Sequence, residues 1–253
     1  MANSIKFEFA GSRVAVTGGT SGIGHAIASA FSTAGAEVTV TGTKSWVTDY
    51  DAELSGFEFH QLQVDDPDSV DGFLQTLREG GRRLDVLVNN AGANLPGGKD
   101  EWDPATFAES VAINLVGPMR LTVGCRELLA ASEMEGGGCV VNLASMASYR
   151  AITITPGYGA AKAAMVNLTL NLANMWAGHG IRVNAVAPGL IDTPMTAPMA
   201  AFPEMLDEVM ANIPMARMGS PEELTDAVMF LCSSGARYMT GHTMAIDGGY
   251  LAG

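Results

Sequence analysis

The sequence predicts an α/β fold, a doubly wound parallel sheet of about seven strands with helices on both faces. Three observations carry that prediction. Short β-rich runs alternate with stretches of helical spacing from one end of the chain to the other. Several of those runs are continuously apolar, as parallel strands covered on both faces must be. No internal repeat and no linker interrupts the pattern, so residues 1–253 read as a single domain.

In chain order, residues 13–17 (RVAVT), 37–41 (EVTVT), 57–64, 84–89 (LDVLVN), 139–143 (CVVNL) and 181–186 (IRVNAV) read as strands. Residues 244–247 are placed to add an edge strand after a helix over 221–232. Helical spacing runs through 22–34, 67–79, 103–131 and 156–177, and repeated βα units imply right-handed crossovers. The connection from Thr41 to Phe57 is too short for a full crossover helix and predicts one or two turns. Residues 193–220, rich in Pro and Met, break the rhythm. An insertion there, near the carboxyl ends of strands, reads either as a substrate lid over about 190–220 or as a packed helix pair.

Composition narrows the function. With 47% hydrophobic and 16% charged residues the chain is not disordered. Its net charge of −13 lacks the positive footprint that nucleic acid requires and disfavours anionic membranes and acidic protein partners. No apolar run approaches the roughly 20 residues of a membrane span. The segment MANSIKFEFAGSRVAV has no signal-peptide pattern, which leads to an expected cytoplasmic location. Cys125, Cys139 and Cys232 are scattered through apolar settings and read as buried hydrophobes. His25, His60, His179 and His242 form no ligand-spaced cluster, so no metal is expected.

The first strand runs into Thr17-Gly18-Gly19-Thr20-Ser21-Gly22-Ile23-Gly24 and then a helix. Glycines in that context allow a tight turn and close approach to a pyrophosphate, whose charge rests on the helix N-terminus. The spacing is G-x-x-x-G-x-G. Downstream lie Asn89-Asn90-Ala91-Gly92 after the fourth strand, Asn114 in Ile113-Asn114-Leu115, Ser145 closing Val141-Asn142-Leu143-Ala144-Ser145, and Tyr158-Gly159-Ala160-Ala161-Lys162. Pro188-Gly189 and Thr193 follow the sixth strand. In this order and spacing the chain strongly resembles the short-chain dehydrogenase/reductase family, from Arg13 to Asp247-Gly248-Gly249.

The resemblance implies a Rossmann-type fold, a nicotinamide dinucleotide and a catalytic set of Asn114, Ser145, Tyr158 and Lys162. Tyr158 and Lys162, four apart at a helix start, share a face. A nearby ammonium, aided by an oxidised nicotinamide, favours the phenolate, so Tyr158 suits a general base for alcohol oxidation or a general acid for carbonyl reduction. Ser145 is placed to donate to the substrate oxygen. A surface Tyr–Lys pair and a Ser that merely caps a helix are the plainer readings of the same residues. By resemblance alone, Asn114 holds a water linked to the lysine, and Lys162 contacts the nicotinamide ribose.

The same resemblance places Gly18, Thr20, Ser21, Gly22, Ile23 and Gly24 on the dinucleotide, with Asn90, Ala91 and Gly92, then Pro188, Gly189, Ile191 and Thr193. Thr193 is equally readable as a helix cap. NAD users carry an acidic residue about 20 residues beyond the glycines. Here Gly42, Thr43 and Lys44 stand there, with no carboxylate until Asp49. Gly42 leaves room, Thr43 donates and Lys44 brings charge, so NADP(H) is favoured over NAD(H), with Ser21 as the counter-sign where many NADP users carry Arg or Lys. Gln63 and Val64 take the adenine position, where relatives usually place Asp before Val.

The expected substrate is a small, largely apolar secondary alcohol or its ketone. Its pocket would draw on Ala93, Asn94 and Leu95, on Met146 and Ala147, on Tyr149, Arg150, Thr155 and Pro156, and on Leu190. Met195, Met199, Phe202, Met205 and Met210 would line the lid, although methionines at helical spacing are also plain core. Two alternatives stand beside this. A 3-oxoacyl-(acyl-carrier-protein) reductase needs a basic rim for an acidic carrier, against the charge of −13 and with Gly136 and His179 where such enzymes carry Arg. A non-catalytic dinucleotide sensor would not need the full Asn-Ser-Tyr-Lys set. The family resemblance also implies a homotetramer, or a dimer, through the Ala-, Leu- and Met-rich helices.

Overall fold

The structure, a computed structural model, describes residues 5–81 and 83–253. Seven strands form one sheet in the order β3-β2-β1-β4-β5-β6-β7: β1 Arg13–Val16, β2 Glu37–Gly42, β3 Glu58–Gln61, β4 Val86–Asn89, β5 Gly138–Leu143, β6 Ile181–Pro188 and β7 Thr243–Ile246. Every neighbouring pair is parallel. The chain has the Rossmann-type architecture its sequence predicts, with the strand order reversing between β1 and β4.

Alternation along each strand feeds two cores. Val14 and Val16 pack with Ile27, Phe31, Val88, Val141, Leu224 and Val228 on one face. Ala15, between them, joins Leu87, Val140, Val183, Leu121 and Trp176 on the other. Helices α1 (Gly22–Thr33) and α8 (Glu222–Cys232) cover the first face. Helices α2 (Pro67–Glu79), α4 (Gly117–Gly124) and α6 (Pro156–Trp176) cover the second. Cys125, Cys139 and Cys232 are buried free thiols, as their apolar settings suggest. Among the described residues no helix is long and apolar enough to cross a membrane.

Local chemistry starts the helices. Asp66 accepts from the Asp68 N–H ahead of α2, and Asp103 from those of Ala105 and Thr106 ahead of α3 (Pro104–Val111), each with Pro at the first helical position. The β2–β3 connection holds only one turn, Val47–Asp49. The strand expected over 57–64 is confined to Glu58–Gln61, because only Thr39–Gly42 of β2 pairs with it.

The helix expected over 103–131 is broken. After α3 the backbone widens into a π-turn, Ala112–Val116, before α4 and the short α5 (Arg126–Ala130). Pro118 lacks the N–H that would close a regular turn onto the Asn114 carbonyl. Gly117 lets the backbone meet the loop after β3, since a Cβ there would lie 2.0 Å from the Val64 carbonyl oxygen. Residues 193–220 contain a turn at Ala197–Ala201 and one amphipathic helix, α7 (Pro203–Ala211), none of whose residues is buried. That is not a packed helix pair.

Candidate active site

All the predicted motifs meet along the carboxyl edge of the sheet, at β1, β4, β5 and β6 and the start of α6. The β1–α1 turn is packed at backbone distance. A Cβ on Gly24 would stand 2.3 Å from the Gly18 carbonyl oxygen, and Gly18 and Gly22 adopt φ of 64° and 51°. Asn90 Nδ2 donates to the carbonyls of Thr17 (2.9 Å) and Gly18 (3.1 Å). The N–H groups of Asn90 and Ala91 both donate to Thr17 Oγ1 at 3.0 Å. Thr193 reaches the same turn, because a Cβ on Gly22 would lie 3.3 Å from it.

Helix α1 differs from α2 and α3 at its start. Ser21 caps it without a side-chain hydrogen bond, where an Asp side chain accepts at the start of each of the other two, and its first turn, like that of α3, holds no acidic residue. Its leading N–H groups therefore suit an anion, and the glycines leave backbone rather than side chains around them. This donor set fits a dinucleotide pyrophosphate. Thr20 is buried and Ile23 half-buried beside it. Pro188 and Gly189 end β6, where a Cβ on Gly189 would lie 2.6 Å from Asp247 Cα. Leu190 and Ile191 are buried, and the Ile191 carbonyl accepts from Thr196 Oγ1, which lies 3.2 Å from Thr193 Oγ1.

The four expected catalytic residues come together. Lys162 is buried, donates from Nζ to the Leu143 carbonyl at 2.6 Å, and stands 5.5 Å from the centroid of the Tyr158 ring. Ser145 does cap the short turn Met146–Ser148: its Oγ accepts from the Ala147 N–H at 3.1 Å. That bond uses a lone pair and leaves the hydroxyl proton free to donate. Asn114, buried in the π-turn, donates to the carbonyls of Ala93 (2.7 Å) and Ser110 (2.9 Å) and accepts from the Ala93 N–H at 3.2 Å. Gly92 lies between them: a Cβ there would sit 2.7 Å from Asn114 Oδ1 and 3.5 Å from Lys162 Nζ.

The electrostatics depart from one expectation. Tyr158 was expected to be drawn down by Lys162, but in the protein alone its hydroxyl is raised above 10.0. Burial raises it, a hydrogen bond with Ser145 opposes that, and the Glu101 carboxylate adds to it. Burial also draws Lys162 down to about 8, so the ammonium is itself only weakly held.

At the second strand the structure corrects the reading of Gly42. The room expected above it is taken by Tyr50, whose hydroxyl oxygen would lie 2.3 Å from a Cβ on Gly42. That hydroxyl also accepts from the Lys44 N–H at 2.7 Å. Lys44 turns back onto the same loop, its Nζ on the Asp49 carbonyl and 5.0 Å from the Tyr50 ring centroid. Tyr50 carries no local motif, and only its fold-back reveals it. Gln63 donates to the Thr43 carbonyl at 3.3 Å, tying the Gln63–Val64 turn to that loop.

Met146, Ala147 and Leu190 are buried at the site, while Asn94, Pro156 and Met199 are half-buried. Met195 is exposed. Sequence reading missed Glu101, a fully buried carboxylate whose Oε2 accepts from the Tyr158 N–H at 2.8 Å. The run Lys99-Asp100-Glu101-Trp102-Asp103 looks like solvated loop, and nothing in it marks one acid as buried.

The chain is similar along nearly its whole length to known proteins. Residues 18–251 match a family model described as enoyl-(acyl carrier protein) reductase. The chain is 36% identical over 251 residues to the 2-(R)-hydroxypropyl-CoM dehydrogenase of Xanthobacter autotrophicus, covering 95% of this chain and 99% of that one. It is 38% identical over 258 residues to the galactitol 2-dehydrogenase of Rhizobium johnstonii, covering 97% of each. A solved structure from Beutenbergia cavernae, described as a putative NAD(P) dependent gluconate 5-dehydrogenase with bound NADP at low occupancy, superposes with a TM-score of 0.85 at 34% identity. That match covers 98% of this chain and 100% of that one. The chain belongs to the short-chain dehydrogenase/reductase family of oxidoreductases.

Lys162 makes stability pH-dependent. Its folded pKa of about 8 lies below the ordinary 10.5, so between those values the unfolded chain binds the extra proton and stability rises with pH. Lys162→Met should be more stable than wild type at pH 7 by about 2 kcal/mol and should lack the rise between about pH 8 and 10. Urea unfolding of both proteins at several pH values checks this.

Proposed function

We propose that this protein is an NAD(P)-dependent oxidoreductase that interconverts a small secondary alcohol and its ketone, with Tyr158 as general acid/base. The observation carrying the reading is the convergence of Asn114, Ser145, Tyr158 and Lys162 beside the uncapped start of α1. The dinucleotide, when bound, accepts or gives the hydride. Gly18–Gly24 and Asn90–Gly92 would hold its phosphates and ribose, and Ile191 and Thr193 its carboxamide. The Ser145 proton is directed at the substrate oxygen as charge develops there. Tyr158 takes or returns the proton at that oxygen, and Lys162, close to its ring, favours the phenolate. Asn114 holds the Ala93 backbone beside them.

Met146, Ala147 and Leu190, with Met195 and Met199 from a lid over about 190–220, favour a largely apolar substrate. The absence of buried side chains in α7 suits a lid that packs only on a bound molecule. A polyol is the second reading, favoured by the likeness to galactitol 2-dehydrogenase. A carrier-protein substrate is disfavoured by the net charge of −13. Tyr158→Phe should lower turnover of a 2-alkanol or of galactitol by at least about a hundredfold while dinucleotide affinity persists. Unchanged turnover would overturn the assignment.

The cofactor preference is for NADP(H), supported by Thr43 and Lys44 in place of a carboxylate and by the relative solved with NADP. Calorimetric titrations with NADPH and NADH should give NADPH about tenfold tighter binding; tighter NADH binding would reverse the preference.

We also read the exposed Phe107, Val116, Met119 and Val123, with Leu170 and Met175 of α6, as a face covered by another copy in a homotetramer or dimer. Light scattering on the eluting protein should give a multiple of 26.3 kDa, and a monomer mass would refute it.

A further inference from the structure

Glu101 is fully buried, and the chemistry above makes no use of it. Its Oε1 accepts from the Leu95 N–H at 2.9 Å and the Ser110 hydroxyl at 3.1 Å, and its Oε2 from the Tyr158 N–H at 2.8 Å. Ser110 in turn faces Asn114 Nδ2, through its carbonyl at 2.9 Å and its hydroxyl at 3.4 Å. One carboxylate thus joins three elements: the loop after β4, helix α3 and the start of α6. Thr155 caps α6 without a side-chain bond, so the donor at Tyr158 is met by Glu101 instead. Gly157 makes room for this, since a Cβ there would lie 3.1 Å from Oε2 and 3.0 Å from Ser110 Cβ. Leu95 is held at φ 46° by the same carboxylate, and the neighbouring Trp102 Nε1 donates to the Thr153 carbonyl at 2.8 Å.

We propose that Glu101 is a positioning residue that fixes Tyr158 and Asn114 relative to each other through one buried carboxylate. The inference rests on the reading of Tyr158 as the acid/base. Its charge has a consequence that a neutral brace would not. The charged and polar groups that face Tyr158 are Lys162 of its own helix, 5.5 Å from the ring centroid, and, acting on the hydroxyl, Ser145 from the end of β5 and Glu101 from the loop ahead of α3. Burial is the larger cause that keeps the proton on, and Glu101 adds to it by opposing the phenolate.

The test compares wild type with Glu101→Gln and Ser110→Ala. Tyrosinate absorbance, taken as the difference from Tyr158→Phe, reads the Tyr158 titration without any substrate. Glu101→Gln should move that titration to lower pH. It should also reduce kcat at least about tenfold, because an amide cannot accept from all three donors, while NADPH affinity changes less than about threefold. Ser110→Ala keeps the charge, so the titration should stay while kcat falls. A wild-type titration in Glu101→Gln, or wild-type kcat in both variants, would overturn the proposal. If Glu101→Gln fails to fold, Ser110→Ala and Gly157→Ala decide it: lowered kcat at unchanged KM supports the proposal, and unchanged kcat sinks it. Wild-type protein that turns over no alcohol would instead fail the oxidoreductase reading, and the tyrosinate titration would still judge Glu101.

Discussion

Four hydrogen bonds from Asn90 and Ala91 to Thr17 and Gly18 fix how β4 meets the turn after β1, and the site is built outward from that junction. These strands are neighbours where the sheet order reverses, the place where α/β sheets open a crevice. From there the chain passes Gly92, which lies against Asn114 and Lys162. Ala93 is clasped by Asn114 on both its N–H and its carbonyl. Asn114 meets Ser110, Ser110 meets Glu101, and Glu101 meets the backbone of Tyr158. The glycine turn and the tyrosine, far apart in sequence, are therefore held by one continuous run of buried polar contacts.

Two helices at this site begin without a side-chain cap of their own. At α6 the Tyr158 donor is met by a buried carboxylate supplied from another segment. At α1 the first turn has no acidic residue and no cap bond from Ser21. The physics is the same at both ends, because a helix start left with free N–H groups favours negative charge. The protein supplies that charge to α6 and leaves α1 suited to receive it from a ligand. Elsewhere, at α2 and α3, ordinary Asp caps finish the task locally.

Lys162 shows what the arrangement costs. Its ammonium is buried on a carbonyl oxygen and drawn down to about 8, where a surface lysine would be indifferent. Tyr158 is raised by burial and by Glu101. Both shifts run toward the neutral form of each group, an arrangement typical of sites where a proton must move.

Much of this was legible in the residues. The glycine turn, the Asn89–Gly92 turn, Ser145 and the Tyr158–Lys162 spacing are local patterns, and local patterns survive in a linear string because strand, turn and helix each impose their own period. The parallel sheet was legible for a similar reason, since runs such as Val14–Val16, Val86–Val88 and Cys139–Val141 are continuously apolar. What only the tertiary structure decided were contacts between segments. Tyr50 folds onto Gly42 and closes a space that the bare glycine suggested was open. Pro118 and Gly117 turn a continuous helical pattern into a π-turn that points Asn114 at Ala93. Glu101 looks like any loop acid until α3 and α6 close over it and leave three donors with one acceptor group. Sequence spacing reports which residues share an element, whereas burial and hydrogen-bond partnership depend on which elements meet, and that is set by packing.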